Sequence, residues 1–184
     1  MRSNCFDRVT GDFINTETKP QIVINDAVDI IENEENPYLL KKDKSLWKLN
    51  FLENNNVSYI KILENVKYAK DSYAVTENDD LYLLDYNPKL ISDIGVKYEQ
   101  EGEPVKILED IVYADITGRT SFAIDKDGNL WSWGYNTGIE LGQNNDYIES
   151  AAPKTILDNV KTIVRSYDRG DPTIYAIKTD NTLW

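Results

Sequence analysis

A short pattern of apolar and polar positions recurs four times along the 184-residue chain. Each copy begins with an aromatic residue and two aliphatic residues, passes through a polar turn, and returns at the same interval to Leu followed by Trp or Tyr. The four copies are 38–47, 73–82, 122–131 and 175–184. Apolar runs of this length that are separated by turn residues are typical of paired strands. The pattern therefore predicts four β-hairpins.

The polar residues inside these copies favour tight turns. Asp127-Gly128 in the third copy is a strong hairpin signal, because both residues accept the backbone angles that a two-residue turn requires. Lys44-Ser45, Asp79-Asp80 and Asn181-Thr182 occupy the same place in the other copies. We therefore expect the same turn in all four hairpins.

A second block precedes each hairpin and consists of apolar residues around a polar pair. Its copies are 23–27, 62–66, 107–111 and 156–160. The polar pair predicts a turn between two short strands. Three copies have a proline upstream, at Pro20, Pro104 and Pro153, which suits the start of a strand. One repeat unit is therefore expected to hold four short strands.

The repeat units predict how the chain is organised. They run over about 20–51, 57–86, 104–135 and 153–184, and a propeller blade is roughly 40 to 50 residues long. In the third unit Leu130 lies on one face of a strand while Trp131 and Trp133 lie on the other, so both faces carry apolar groups. Strands of this kind belong in stacked sheets. We predict an all-β fold of about four four-stranded antiparallel propeller blades, forming part of a larger propeller.

Composition narrows the functional classes. With 32 acidic against 20 basic residues the net charge is −12, which argues against nucleic acid and anionic membranes as partners. The chain has no histidine and one cysteine, so the usual catalytic bases, zinc sites and internal disulfides are missing. We expect a protein that is not an enzyme and that binds no cofactor or metal.

The sequence contains no long apolar segment. It therefore predicts neither a signal peptide nor a transmembrane helix in this chain. The location at face value is cytoplasmic, and it is extracellular if the chain is a fragment of a secreted protein.

Two groups of oxygen-bearing side chains were weighed as sites. Asp125, Asp127 and Asn129 imitate the start of a calcium loop, but the twelfth position is Asn136 where a closing Glu is needed. Acidic clusters at 32–35 and 99–103 contain paired carboxylates, which would suit carbohydrate hydrolysis. However, no nucleophile or base signature lies near either cluster. A hairpin turn and solvated loops are the better interpretations.

The third repeat closely resembles a regulator of chromosome condensation repeat. The resemblance rests on residues 122–136, Gly138, Leu141-Gly142, Pro153 and 156–160, and it extends over residues 20–184. It is weaker in the first two units, which have Leu49-Asn50 and Leu84-Asp85 in place of Trp133-Gly134.

The resemblance implies a propeller that acts as a platform for other proteins. Propellers of this family typically have seven blades, which is more than this chain supplies. Eukaryotic members exchange nucleotide on a small GTPase and contact chromatin, whereas a bacterial relative inhibits β-lactamases. The chain's abundance of Asn, Ile and Lys suggests a bacterial source.

The expected function is therefore that of a non-enzymatic platform for a protein partner of unknown identity. The aromatic residues expected to reach this partner lie where chains leave the sheets: Phe51, Tyr86, Tyr135 and Tyr147. Two alternatives stay open: an enzyme-inhibitory propeller, and a structural segment of a larger surface protein. The aromatic residues that recur next to the repeated Leu are expected to pack within the blades: Trp47, Tyr82, Trp131 and Trp184.

The two ends of the repeat array raise the question of closure. The fourth unit stops at Trp184, where the third continues to Tyr135, so its last strand is short. Residues 1–19, with Phe6, Val9, Phe13 and Ile14, are a candidate closing strand, either in the same chain or in a second copy that forms a homodimer through the open ends. We expect the chain to be a fragment of a longer protein, with the dimer as the second choice.

Overall fold

The computed structural model describes residues 4–6, 13–15, 24–32, 37–51, 57–84, 103–116, 120–136, 141–143, 148–168 and 171–184. Every helix or strand element within these ranges is a strand. The sixteen strands of the described residues are β1 (Asn4–Phe6), β2 (Phe13–Asn15), β3 (Ala27–Ile31), β4 (Tyr38–Lys41), β5 (Leu46–Phe51), β6 (Val57–Leu63), β7 (Val66–Lys70), β8 (Tyr73–Thr76), β9 (Leu81–Leu83), β10 (Val105–Leu108), β11 (Ile111–Ile116), β12 (Thr120–Asp125), β13 (Leu130–Asn136), β14 (Ile148–Leu157), β15 (Val160–Asp168) and β16 (Asp171–Lys178).

The strands pair with their chain neighbours in antiparallel sheets. Sheet 1 is β3-β4-β5-β6, sheet 2 is β7-β8-β9-β10, and sheet 3 is β11-β12-β13-β14. Sheet 4 pairs β15 with β16, and an isolated bridge joins Ile177 to Leu183. The fold is therefore built from successive local hairpins, as the four repeated patterns predict.

The sheets are out of phase with the sequence repeats. The polar pair Glu64-Asn65 lies between β6 and β7, so the strand before it completes sheet 1 and the strand after it starts sheet 2. Each of the three later repeat units therefore gives one strand to one sheet and its other strands to the next. This overlap links neighbouring sheets through the chain itself.

The polar pairs are suited to the sharp change of direction between sheets. Their second residues have positive φ angles: 62° at Asp26, 56° at Asn65, 58° at Asp110 and 54° at Asn159. Asn and Asp tolerate this left-handed conformation better than other side chains with a Cβ, because their short polar groups bond to the local backbone. The left-handed backbone at the second position of each polar pair thus explains why Asn or Asp recurs there.

The core lies between the sheets. One apolar cluster joins sheets 1 and 2, a second joins sheets 2 and 3, and a third joins sheets 3 and 4. In sheet 2, Tyr73 and Leu81 belong to the cluster shared with sheet 3, whereas Val66 and Ala74 belong to the one shared with sheet 1. Each inner sheet therefore buries both of its faces, as the two-sided apolar pattern of Leu130, Trp131 and Trp133 predicts.

Hydrogen bonds repeat the same connection between successive sheets. The first backbone N–H of each later sheet donates to a turn carbonyl of the sheet before it: Val66 to Lys44 at 2.9 Å, Ile111 to Asp79 at 2.8 Å, and Val160 to Gly128 at 2.8 Å. The three interfaces are thus copies of one arrangement.

The candidate closing segment forms a pair of its own. β1 and β2 pair with each other, with Cys5 opposite Ile14, and neither pairs with sheets 1–4 within the described residues. Val9 lies outside the described residues. A closing role for residues 1–19 stays a prediction.

Candidate protein-binding surface

The sheets have two different ends. One end, the turn rim, carries the turns at 42–45, 77–80, 126–129 and 179–182 together with the polar pairs that join the sheets. Backbone bonds hold the two kinds of turn together, for example from the N–H of Glu77 to the carbonyl of Asn65 at 2.7 Å and from Lys126 to Asp110 at 2.8 Å. The opposite end, the loop rim, is where β5 and β13 end.

The four turns of the turn rim have one backbone geometry. The residue at the position of Gly128 has a positive φ angle in every copy: 64° at Lys44, 63° at Asp79, 80° at Gly128 and 66° at Asn181. At Gly128 a Cβ atom would meet the carbonyl oxygen of Val160 at 3.4 Å. A side chain there is strained by the left-handed backbone and close to the next sheet.

Asp125 organises the turn of sheet 3. One carboxylate oxygen accepts the backbone N–H groups of Asp127 at 3.0 Å and Asn129 at 2.9 Å, while the other accepts the indole N–H of Trp131 at 2.8 Å and the Asn129 side chain at 3.0 Å. Partial burial alone would raise the pKa of Asp125, but these bonds outweigh burial and hold its pKa below the usual value. The Asp125 carboxylate, which the sequence pattern likens to a calcium ligand, thus stabilises the hairpin turn by accepting its hydrogen bonds.

Two other turns use a hydroxyl for the same task. In sheet 1 the carboxylate of Asp43 accepts both the N–H and the hydroxyl of Ser45, and Ser45 Oγ accepts the indole N–H of Trp47 at 2.7 Å. In sheet 4 Asp180 and Thr182 make the same bonds, and the indole N–H of Trp184 donates to Thr182 Oγ1 at 3.0 Å. The recurring Trp therefore stabilises its turn through its polar edge.

Ion pairs connect the turns of neighbouring sheets. Lys126 of sheet 3 lies 3.1 Å from the carboxylate of Asp79 in sheet 2 and 2.8 Å from that of Asp110, and Lys67 lies 2.8 Å from Asp79. Hydrogen bonds from Lys67 and Lys126 hold the pKa of Asp79 below its usual value. Within the described residues no group of three or more His, Cys, Asp or Glu side chains is arranged to hold a metal ion.

Two of the predicted partner-binding residues, Phe51 and Tyr135, lie at the loop rim. Phe51 ends β5 opposite Val57, and Tyr135 lies next to the end of β13, between the paired positions Gly134 and Asn136 where the register with β14 shifts. The backbone of both residues is described, but their side chains are not. Tyr86 and Tyr147 lie outside the described residues. That these four aromatic residues meet on one surface stays a prediction.

One connection at the loop rim is fixed to its sheet. The side-chain amide of Gln143 donates to the carbonyl of Ser132 at 2.7 Å, and the Ser132 hydroxyl donates to the carbonyl of Leu141 at 2.8 Å. All three residues are buried. The segment 141–143, part of the insertion that contains Tyr147, is therefore anchored on sheet 3.

The repeated aromatic residues do not share one environment. Trp131 packs against the cluster between sheets 2 and 3, whereas Trp184 is 63% exposed. The expectation that Trp184 packs within its blade is therefore wrong. Trp131 is flanked by Thr155 of β14, but no fourth strand flanks Trp184 in the part of the chain that the structure describes.

Sequence reasoning also missed Arg165. Its guanidinium reaches from sheet 4 to sheet 3, where Nε donates to the carboxylate of Asp115 at 2.8 Å and Nη1 to the hydroxyl of Thr120 at 2.8 Å. The arginine side chain is 6% exposed, and it also lies over the ring of Phe122 at 5.3 Å. Because Arg165 occurs in only one copy of the repeat, the repeated pattern holds no signal for it.

No helix in the described residues has the length and apolar character needed to span a membrane. No model of a known protein family matches the chain, and none of the curated proteins matches it either.

Solved propeller structures do match the chain. Yeast RCC1 (Prp20) bound to Kap60 aligns with a TM-score of 0.59 and 17% identity, covering 89% of this chain and 44% of that one. Human WBSCR16 aligns with a TM-score of 0.57 and 15% identity, covering 95% and 50% of the two chains. Prp20p from Saccharomyces cerevisiae, described with its binding to Gsp1p and histones, aligns with a TM-score of 0.51 and 14% identity, covering 84% and 44%.

This chain spans about half the length of the solved structures it matches. At these identities the comparisons bear on the fold, and they agree with the stacked antiparallel sheets described above. The predicted all-β fold is confirmed: sheets 1–4 are blades of a β-propeller of the kind seen in the regulators of chromosome condensation.

Proposed function

We propose that this chain is a non-enzymatic protein-binding module that engages its partner through the loop rim. The observation that carries the proposal is that Phe51 and Tyr135 lie at or next to the ends of β5 and β13, where the chain leaves its sheet. At the turn rim, Asp43 and Asp125 are bonded within their own hairpin turns, and Lys126 pairs with Asp79 of the neighbouring sheet. The loop rim carries the strand ends at Phe51 and Tyr135 and the connections between the third and fourth strands.

Connections on a rigid sheet scaffold are common positions for binding residues, because their sequence varies without loss of the fold. The propeller core supplies such a scaffold, since both faces of sheets 2 and 3 are packed. Tyr and Trp are enriched among residues that dominate protein interfaces. Phe51 and Tyr135 at the loop rim fit this role, and the proposal includes Tyr86 and Tyr147, which the sequence places after or between strands.

The similar propellers favour a protein as the partner. Prp20 forms a complex with Kap60, and Prp20p is described with binding to Gsp1p and histones. The net charge of −12 makes nucleic acid an unfavourable ligand for this chain. A protein partner is thus the class of ligand that both lines of reasoning support.

Affinity capture from a lysate of the source cell identifies the partner by mass spectrometry, and calorimetry with the purified partner then tests the surface. We expect Tyr135→Ala and Tyr86→Ala each to weaken binding by at least about 30-fold, which corresponds to about 2 kcal/mol. Trp184→Ala is the matched control, because this exposed aromatic residue belongs to the turn rim. Circular dichroism confirms that each variant keeps its strands.

Unchanged affinity of both tyrosine variants would refute the loop rim as the interface. An equal loss in Trp184→Ala would instead assign the partner to the turn rim. If the captured partner is an enzyme and its activity falls with stoichiometric binding, the module is an inhibitor rather than a scaffold.

A further inference from the structure

The fourth strands of sheets 1, 2 and 3 lie at corresponding sheet edges, and these edges are not equally protected. β10 is four residues long and follows Pro104, whereas β14 contains Pro153 and changes register with β13 at three places. Short length, proline and irregular register all hinder the addition of another strand. β6 is seven residues long, contains neither Pro nor Gly, and keeps one register with β5 from Trp47 to Phe51. Of these three edges, β6 is therefore the best suited to accept a further strand.

The middle of β6 is exposed even where sheet 1 is covered by its neighbour. Ile60 shares a face of sheet 1 with Lys48 and Tyr38, and Tyr38 is buried in the cluster between sheets 1 and 2. Ile60 on the same face is 59% exposed, because it lies at the edge. Propeller sheets stack face to face, so any further sheet covers a face of sheet 1 and leaves this edge open. Access to β6 therefore does not depend on the number of blades.

The backbone groups on the open side of β6 follow from the strand pairing. The N–H of Leu49 donates to the carbonyl of Pro37 at 3.0 Å, so the backbone groups of Leu49 point toward β4. Successive residues of a strand point these groups to opposite sides, so the neighbours of Leu49 bond to β6, where one partner is Ile60. The N–H and carbonyl groups of Tyr59 and Lys61 therefore point away from sheet 1. Among the described residues, no strand pairs with them on that side.

A second β6 strand fits this edge when it pairs in antiparallel register about Ile60. Ile60 then lies opposite Ile60 of the second copy, and Tyr59 lies opposite Lys61 in both directions. Because the outward backbone groups belong to Tyr59 and Lys61, these residues form the hydrogen-bonded pairs. Ile60 takes the other kind of position, at which opposing side chains approach most closely. A lysine ammonium group is also attracted to an aromatic ring. The strand is thus complementary to itself in its backbone bonds and its side chains.

Charge distinguishes a second copy from a basic segment of another protein. The net charge of −12 attracts basic peptides and repels a second copy at long range. At the edge itself, Lys61 lies 2.6 Å from the carboxylate of Glu64, so the local charge is balanced. The long-range repulsion is screened at physiological salt, where the Debye length is about 8 Å. A second copy sets the uncharged ring of Tyr59 opposite Lys61, whereas a basic segment would set like charges opposite each other.

We propose that β6 is a self-association edge, at which two copies of this chain pair their β6 strands in antiparallel register about Ile60. The contact is isologous, because each copy contributes the same strand, and it joins two four-stranded sheets into one continuous sheet with two-fold symmetry. It bonds the outward backbone groups of Tyr59 and Lys61, and it removes the side chain of Ile60 from water. The proposal is independent of the loop rim and its partner.

Sedimentation velocity over a concentration series tests the contact with the full chain. The wild type is expected to associate into a species of twice 21.2 kDa, and more readily at higher salt because the net charges are then screened. Ile60→Asp sets two carboxylates directly opposite each other and should weaken association at least about tenfold. Val112→Asp is the matched control, because Val112 is an exposed apolar residue on β11 of sheet 3, outside the contact. It should associate as the wild type does.

A proline variant tests the backbone bonds separately from the side chains. Lys61→Pro removes an N–H group that points away from sheet 1, whereas Lys61→Met loses the same charge and keeps the N–H. Only the proline variant should weaken association, by at least about tenfold. Unchanged association of Lys61→Pro, or equal weakening in both variants, would refute strand pairing. Circular dichroism identifies a variant that has lost its strands, in which case the variants of Ile60 decide.

Mixing two variants of the central position provides the decisive measurement. Ile60→Asp and Ile60→Lys each set like charges opposite each other, whereas an equimolar mixture sets opposite charges together and should recover a one-to-one dimer that neither variant forms alone. A monodisperse wild-type monomer at all concentrations would overturn the proposal. So would association of Ile60→Asp alone at the wild-type level, or failure of the mixture to associate.

Discussion

The hairpins of sheets 3 and 4 have nearly the same local structure and opposite surroundings. Both close their turns with equivalent backbone bonds, from Asp125 to Asn129 at 3.1 Å and from Lys178 to Thr182 at 3.0 Å. Yet Leu130 is buried between two sheets, whereas its equivalent Leu183 is exposed. The comparison shows that local sequence forms the hairpin while a neighbouring sheet turns its apolar positions into a core.

The largest expected effect tests this difference in burial. Leu130→Ala removes a side chain from the cluster between sheets 3 and 4, and it should lower the free energy of unfolding by about 4 kcal/mol through lost burial and a cavity. Leu183→Ala should change it by less than about 0.5 kcal/mol, since surface substitutions have small effects. Urea unfolding measures both. Equal losses would contradict the difference in burial between Leu130 and Leu183.

A smaller effect is expected at the polar link between the same two sheets. Arg165→Met leaves the carboxylate of Asp115 without the guanidinium that it bonds, and it should cost about 3 kcal/mol of stability. Lys61→Met removes the exposed pair with Glu64 within the outer part of sheet 1, and it should change stability far less. If the two unfolding midpoints shift equally, Arg165 does not join sheet 4 to sheet 3.

The smallest expected effect compares two tyrosines at one repeat position. Burial raises the pKa of the Tyr73 hydroxyl, so the group stays protonated at neutral pH and donates to Ala114 of the next sheet. Tyr73→Phe should therefore cost about 1 kcal/mol, the usual net value of such a bond. Tyr175→Phe should leave the free energy of unfolding unchanged, because no sheet follows sheet 4 among the described residues. An equal loss of stability in Tyr175→Phe would contradict the different surroundings of the two tyrosines.

The repeated pattern allowed the strands and turns to be predicted well. Asp127-Gly128 indicated a hairpin turn and the polar pairs indicated turns between short strands, because turns depend on local backbone geometry. That the polar pairs separate one sheet from the next was not predicted. The environment of Trp184 and the role of Arg165 could not be predicted from the repeated pattern. Trp184 has the same local sequence context as Trp131 but no fourth strand beside it in the described residues, and Arg165 acts across a sheet boundary.

The candidate binding residues divide in the same way. The position of Phe51 and Tyr135 near the ends of their strands follows from strand periodicity, and the backbone of both residues lies at the loop rim. Whether their side chains converge with those of Tyr86 and Tyr147 depends on connections outside the described residues. A common surface is a property of how neighbouring blades are placed, which no single repeat encodes.

The sequence by itself determined the strand order, the turn chemistry and the four-fold repetition, because hydrogen bonding between adjacent strands and left-handed turns are local. The tertiary structure decided which strand belongs to which sheet, since a strand before a polar pair completes the preceding blade. It also decided the burial of four leucines at equivalent repeat positions. Leu183 is exposed in this chain, whereas the other three are buried: Leu46, Leu81 and Leu130. Burial depends on a second surface, and only the packing of one blade on another supplies it.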